Sequence, residues 1–257
     1  MFPLLPIISD DLASLDPRLA LRYQNTFMKN ALIRGLNIIY LAASTINDGE
    51  HPNFREFTEY AHMVCGMIKL HLRGDDVFFT TPNSDGQTLT DILGEDCTLP
   101  STIALQISSL DEIIQRWNKC PSSYTPSELL DILENVEEPI VTGMRKQVIL
   151  SSQNRGLFFS SSGQVESIQG EYLIKAYSEA QMRAMIEGNV FWLAAQSDIS
   201  ILLPFCMSHH DKKTSKYWPT IPAEGLAALP ELVKAHPSRW IFAPFDPVTG
   251  EDNILTL

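Results

Sequence analysis

His71 and Asp75 stand four residues apart in the run Met67-Ile68-Lys69-Leu70-His71-Leu72-Arg73-Gly74-Asp75. On a helix that spacing puts an imidazole and a carboxylate on one face, where they could join in binding a metal ion or orient a donor toward a substrate carbonyl. Lys29 is the third group of interest. It falls on an apolar stripe with Leu32, Ile33 and Leu36, so its ammonium is expected to point into the protein. Burying a charge is costly unless it is paired or neutralised, and Asp75 facing it is the natural partner. Lys29, His71 and Asp75 are therefore the candidate catalytic residues. Three readings stay open: a satisfied polar plug, a metal-free polar cluster at the end of an apolar pocket, and a residual one-metal site.

Other constellations carry less. Cys206, His209, His210 and Asp211 sit close together after Pro204, but their spacing fits no standard zinc pattern, and Lys212-Lys213 beside them suggests an exposed loop. Ser160-Ser161-Ser162-Gly163 reads as a turn, because no Gly-Lys-Ser/Thr follows to make a phosphate loop. The chain has no Gly-x-Ser-x-Gly elbow and no Gly-x-Gly-x-x-Gly fingerprint, so no cofactor is expected. Cys65, Cys97, Cys120 and Cys206 form no Cys-x-x-Cys pair and read as reduced thiols of an intracellular, cytoplasmic protein.

The whole-chain properties narrow the partners. The net charge of -12 and the absence of a Lys/Arg-rich run argue against nucleic acid. No window has the uninterrupted apolar length of a membrane span. The apolar start Met1 to Ile8 is short, holds two prolines and lacks a basic lead, so it does not read as a signal peptide.

Four long amphipathic segments must position the candidate groups. The first opens at Asp16-Pro17, an N-cap followed by proline at N1, and runs to about Ser44. Gly49 and Pro52 mark the turn after it. The second runs from about Asn53 to Asp76 and is followed by the turn residues Pro82, Asn83, Ser84, Asp85 and Gly86. The third spans roughly Ser101 to Trp117, with Ile103, Ile107, Leu110 and Ile114 as its stripe. The fourth starts at the capping pattern Thr125-Pro126-Ser127-Glu128 and continues to about Ser151, with Pro139 expected to kink or split it. Short links between such helices favour antiparallel neighbours. The expected fold is all-α: an up-down four-helix bundle over residues 1–155, with a helical extension over 156–257 packed on it as one structural unit. In the extension, Ser178 with Gln181 opens a helix that ends near Gly188 or runs on to Ala195, and another helix covers about Ala223 to His236. The aromatic, proline-rich stretch from Trp240 to Pro247 is expected to pack down on the body.

Three runs carry a family resemblance. Lys29-Asn30-Ala31-Leu32-Ile33-Arg34-Gly35-Leu36-Asn37-Ile38-Ile39-Tyr40 resembles the first helix of fungal hemerythrin-like proteins, the HHE cation-binding family. The run Met67 to Phe79 resembles their second helix, and Trp240 to Leu257 is similar to the end of the same fungal subgroup. The resemblance implies a bundle whose family relatives hold metal by histidines and carboxylates. Here the family's first-helix histidine falls on Lys29, which cannot ligate. The third-helix His-x-x-x-His falls near Gln106 and Leu110, and the fourth-helix His-x-x-x-Glu near Gly143 and Gln147. Whatever the register, no histidine occurs between His71 and His209. The resemblance therefore implies a degenerate member without the family's metal site.

A bundle stripped of metal leaves a place for a small-molecule pocket. The expectation is a cofactor-independent enzyme with an apolar small-molecule substrate, lined by Leu32, Ile33, Leu36, Tyr60, Met67, Gln106, Arg145 and Gln147. Lys29, His71 or Arg145 would donate to a substrate carbonyl while Asp75 orients the donor. Cyclisation, Diels-Alderase-type cycloaddition or isomerisation in secondary metabolism suits such a site, by analogy with metal-free family members. The alternatives are a non-catalytic binding or regulatory bundle with a tightly filled interior, and a metal-binding oxygen or redox sensor. The oligomeric state is not readable from the sequence.

Overall fold

The computed structural model describes residues 1–7, 11–12, 14–94, 98–150, 171–214 and 217–253, without the side chains of residues 22, 149, 150 and 171. The expected boundary at 155/156, the Ser160 to Gly163 turn and Cys97 lie outside the described residues. Among these the protein is mostly helical and has no strand beyond the isolated Phe245–Asp252 bridge, so the fold class is all-α. No single described helix is long and apolar enough to cross a membrane.

The first helix, α1 (Pro17–Ala43), begins where the sequence places it: Asp16 accepts a hydrogen bond from the Arg18 N–H at 2.9 Å, and Pro17 occupies the first turn. The second, α2 (Phe54–Thr80), runs a turn further than expected. Phe78 and Phe79 continue its apolar face and are buried with Leu21, Leu89, Leu173, Tyr177 and Met182 in a second core cluster. The turn after α2 is built by Asn83, whose Oδ1 accepts the N–H groups of Asp85 and Gln87 at 2.9 and 3.0 Å, with Gly86 at φ 77°. A five-residue helix, α3 (Leu89–Leu93), follows with a Thr88/Asp91 capping box. Next come α4 (Ser101–Lys119) and α5 (Pro126–Leu150). Of the two expectations for Pro139, a kink or a split, the split does not occur: α5 is one helix through it, with Leu129, Leu133, Val136, Ile140 and Met144 buried on one stripe.

These long helices close a ring in which α1 packs on α2, α2 on α4, α4 on α5 and α5 on α1. Neighbours run antiparallel. Lys29 faces Asp75 while Gly35 meets Val64 further along the same pair. Lys69 meets Asp111 while Thr58 meets Asn118, and Arg116 meets Glu128 while Gly143 lies against Leu99. Leu32, Ile33, Leu36 and Ile39 are fully buried between the helices, each worth about 1.5–3 kcal/mol of apolar burial.

Beyond the ring, α6 (Glu171–Ala176) leads to α7 (Glu179–Ala195), which runs past Gly188 and carries the expected Ser178/Gln181 capping box. After α8 (Ile199–His209) and α9 (Ala223–Ala235), a short 3-10 turn, Pro237–Trp240, leads into the tail. The tail is seated on the ring: Phe242 is fully buried, with its ring 5.8 Å from that of Phe57 and 5.9 Å from that of Tyr60.

Three polar residues of α1 hold segments distant in sequence: the N-terminal stretch and the end of α8. Asn30 brackets Leu5 through both backbone groups, at 2.7 and 2.9 Å, and Asn37 brackets Phe2 in the same way at 2.7 and 2.9 Å. One turn apart between them, Arg34 donates to the carbonyl of His209 at 3.1 Å and so ties α8 to α1. The amide side chains replace water for backbone groups that no helix or sheet would satisfy. Phe2 and Leu5 are buried as a result.

Candidate functional site

Lys29 is fully buried, and its Nζ lies 3.4 Å from both His71 Nε2 and Asp75 Oδ2; those two atoms are themselves 3.4 Å apart. The helix periods explain the meeting. His71 and Asp75 share a face of α2 one turn apart, and Lys29 stands on the face of α1 packed against it. The cluster lies between the main core, at Leu32 and Ile68, and the second core cluster, at Leu21 and Phe78. At the neighbouring Gly74, α7 crosses α2 so closely that an added Cβ would fall 2.7 Å from Leu193 Cδ2.

Electrostatics assign the protons. Burial lowers His71 to about 4, against the attraction of Asp75, so the imidazole is neutral at ordinary pH. Burial also lowers Lys29, with the charge and hydrogen bond of Asp75 opposing the shift. Lys29 donates an N–H to Asp75, and its Nζ stands at the same distance from His71 Nε2. Both contacts are longer than a charge-assisted hydrogen bond of about 2.8 Å.

Donor chemistry decides whether this place fits a metal. The Lys29 Nζ stands against both atoms that could ligate, and no group of three or more His, Cys, Asp or Glu converges anywhere among the described residues. A hemerythrin-type iron pair does not fit these side chains.

The other candidates are dispersed. Leu32, Ile33 and Leu36 are fully buried beside Lys29 on α1, and Met67 is buried on α2. Gln147 is buried on α5; Gln106 is half-buried on α4, with a buried Oε1 that finds no hydrogen-bond partner. Arg145 is exposed, so the expectation that it faces the interior is corrected. It sits one residue past Met144, off the stripe of α5 that packs inward. Tyr60 is fully buried, but its hydroxyl is committed to His209 Nε2 at 2.7 Å.

That contact corrects a second expectation. His209 and His210 are buried, not part of an exposed loop, because α8 carries the apolar run Ile201 to Met207 inward and ends at His209. Burial lowers His209 to about 3, so it is neutral. Its Nδ1–H donates to the Phe205 carbonyl at 3.0 Å, and its Nε2 accepts from Tyr60. His209 is a satisfied core histidine that latches α8 to α2.

A third polar cluster escaped the sequence reading. Asp111, buried on α4, holds His62 Nδ1 at 2.5 Å through one oxygen and Lys69 Nζ at 2.5 Å through the other. Burial raises its carboxyl, but the hydrogen bonds and charges of His62 and Lys69 outweigh that and hold it below the usual carboxylate value. The available signal was Asp111 itself, a carboxylate between Leu110 and Ile114 on an otherwise apolar stripe. Two surface concavities lie on this side, along α4, and Lys29 lines neither of them.

Compared with protein-family models, curated proteins and solved structures, the chain matches none.

Proposed function

We propose that the protein is a metal-independent enzyme for an apolar small molecule, built on a hemerythrin-like four-helix bundle in which Lys29 takes the place of the metal. The supporting observation is the fully buried Lys29 ammonium 3.4 Å from both His71 and Asp75. A lysine so placed is a preorganised donor in a region of low dielectric, where a hydrogen bond to a carbonyl is strong. Donation to the carbonyl of a dienophile or enone withdraws electron density from the reacting double bond. Walls such as Leu32, Ile33, Leu36 and Met67 would hold the folded substrate. The reaction class is cyclisation of the Diels-Alderase type, or isomerisation, in secondary metabolism.

The test is turnover of apolar diene–enal and diene–enone compounds in excess EDTA. The wild type should form cyclised product, and Lys29→Met should lose it while keeping its helical circular dichroism. If Lys29→Met is folded and no slower, the assignment fails.

A second reading is favoured by a different observation. The side chains around Lys29 are buried, and none of Lys29, His71 and Asp75 lines the concavities along α4. On that reading the cluster is a polar plug in a non-catalytic binding scaffold, and no carbonyl compound should raise the melting temperature of the wild type.

A further inference from the structure

A cleft of about 190 Å³ lies between α2, α4 and the 3-10 turn Pro237–Trp240. Its walls carry His62, Glu59, Gln115, Asn118, Lys119 and Arg239, and the buried side chain of Ile114 lines it. That volume is about six waters' share of liquid, room for a compact ligand with a short apolar part.

Charge and hydrogen bonding in the cleft are uneven. Glu59 is already engaged, accepting from Arg55 Nε and Ser238 Oγ, both at 3.1 Å. Asp111 is taken by His62, Lys69 and Gln115. Arg239 and Lys119 form no ion pair among the described residues and face the same space. Arg239 and Lys119 thus offer unclaimed cationic donors in a chain whose net charge is -12, and the apolar wall of Ile114 suits the hydrocarbon part of an organic anion better than inorganic phosphate. The planar guanidinium fork suits a carboxylate.

We propose that this cleft binds a small organic monocarboxylate, its charge held by Arg239 and Lys119 and its apolar part set against Ile114. The site is separate from the Lys29 cluster and does not depend on its role.

The experiment is calorimetric titration of the full chain with butyrate and, separately, inorganic phosphate. Butyrate should bind with a Kd of about 1 mM, more tightly than phosphate. Arg239→Gln and the exposed Lys119→Gln should each weaken it about tenfold. Lys213→Gln, outside the cleft lining and paired with Asp252, should change nothing. Tighter phosphate binding, unchanged affinity in both Arg239→Gln and Lys119→Gln, or equal weakening by Lys213→Gln would overturn the proposal.

Discussion

Lys29 Nζ and Asp75 Oδ2 lie 3.4 Å apart with the lysine fully buried, so the two charges can only be understood as a pair. Removing one partner leaves the other uncompensated, whereas removing both removes two desolvation costs. Asp75→Ala should destabilise the fold by about 3–5 kcal/mol, moderated by deprotonation of Lys29. The double variant Lys29→Met/Asp75→Leu should recover most of that loss in urea denaturation. A double variant as weak as Asp75→Ala would mean that the pair is not the unit.

Acid should unfold the protein through its buried imidazoles. His71 titrates at about 4 and His209 at about 3 when folded, against 6.5 unfolded, so the unfolded chain binds more protons throughout that window. Their penalty is absent above pH 6.5, grows as pH falls, and for His71 reaches about 3 kcal/mol once pH is below 4. Lys29, lowered from 10.5, adds a rise in stability with pH on the alkaline side up to that value. Denaturation midpoints measured from pH 7 to 4 should fall, and His71→Gln should flatten part of the slope. A flat profile in the wild type would contradict the neutral, buried imidazoles.

Glycines separate two kinds of helix neighbourhood. A Cβ at Gly49 would fall 2.1 Å from the Pro121 carbonyl oxygen, which is backbone and cannot swing aside. Gly49→Ala should cost at least about 2 kcal/mol. At Gly66, inside α2, nothing lies within 4 Å of the added atom, and Gly66→Ala should stabilise by about 0.5–1 kcal/mol. Thermal melts of the two variants should move in opposite directions.

Asn30 and Asn37 should be the clasp of the N-terminal segment. Asn30→Ala leaves two buried backbone groups of Leu5 without partners, at about 1–3 kcal/mol. Hydrogen exchange should quicken at Phe2 and Leu5 while α2 keeps its protection. Uniform loss of protection would assign Asn30 a role in the whole core instead.

Helix positions and their caps were legible wherever an apolar stripe, a cap and a turn residue agreed. Asp16-Pro17, Ser178 with Gln181 and the Asn83 turn all act as their chemistry dictates. The meeting of Lys29 with His71 and Asp75 was legible because each lies on an inward stripe. What failed did so for physical reasons. α8 is apolar all round, so Ile201 to Met207 offers no period to read, and the charged Lys212-Lys213 beside it suggested exposure that stops short of His209 and His210. Asp111 needed partners from another helix, which no spacing along α4 discloses. Arg145 was placed by family register and faces outward by one residue of helix rotation. The jobs of Asn30, Arg34 and Asn37 depend on residues far away in sequence, Leu5, His209 and Phe2.

The most direct measurement is elemental analysis of protein purified without chelator, with thermal melts taken before and after EDTA. If Lys29 supplies the cation between His71 and Asp75, iron, manganese and zinc should each be far below one per chain, and EDTA should leave the melting temperature unchanged. One or two metals per chain, lost to EDTA together with stability, would contradict the proposed replacement of metal by lysine.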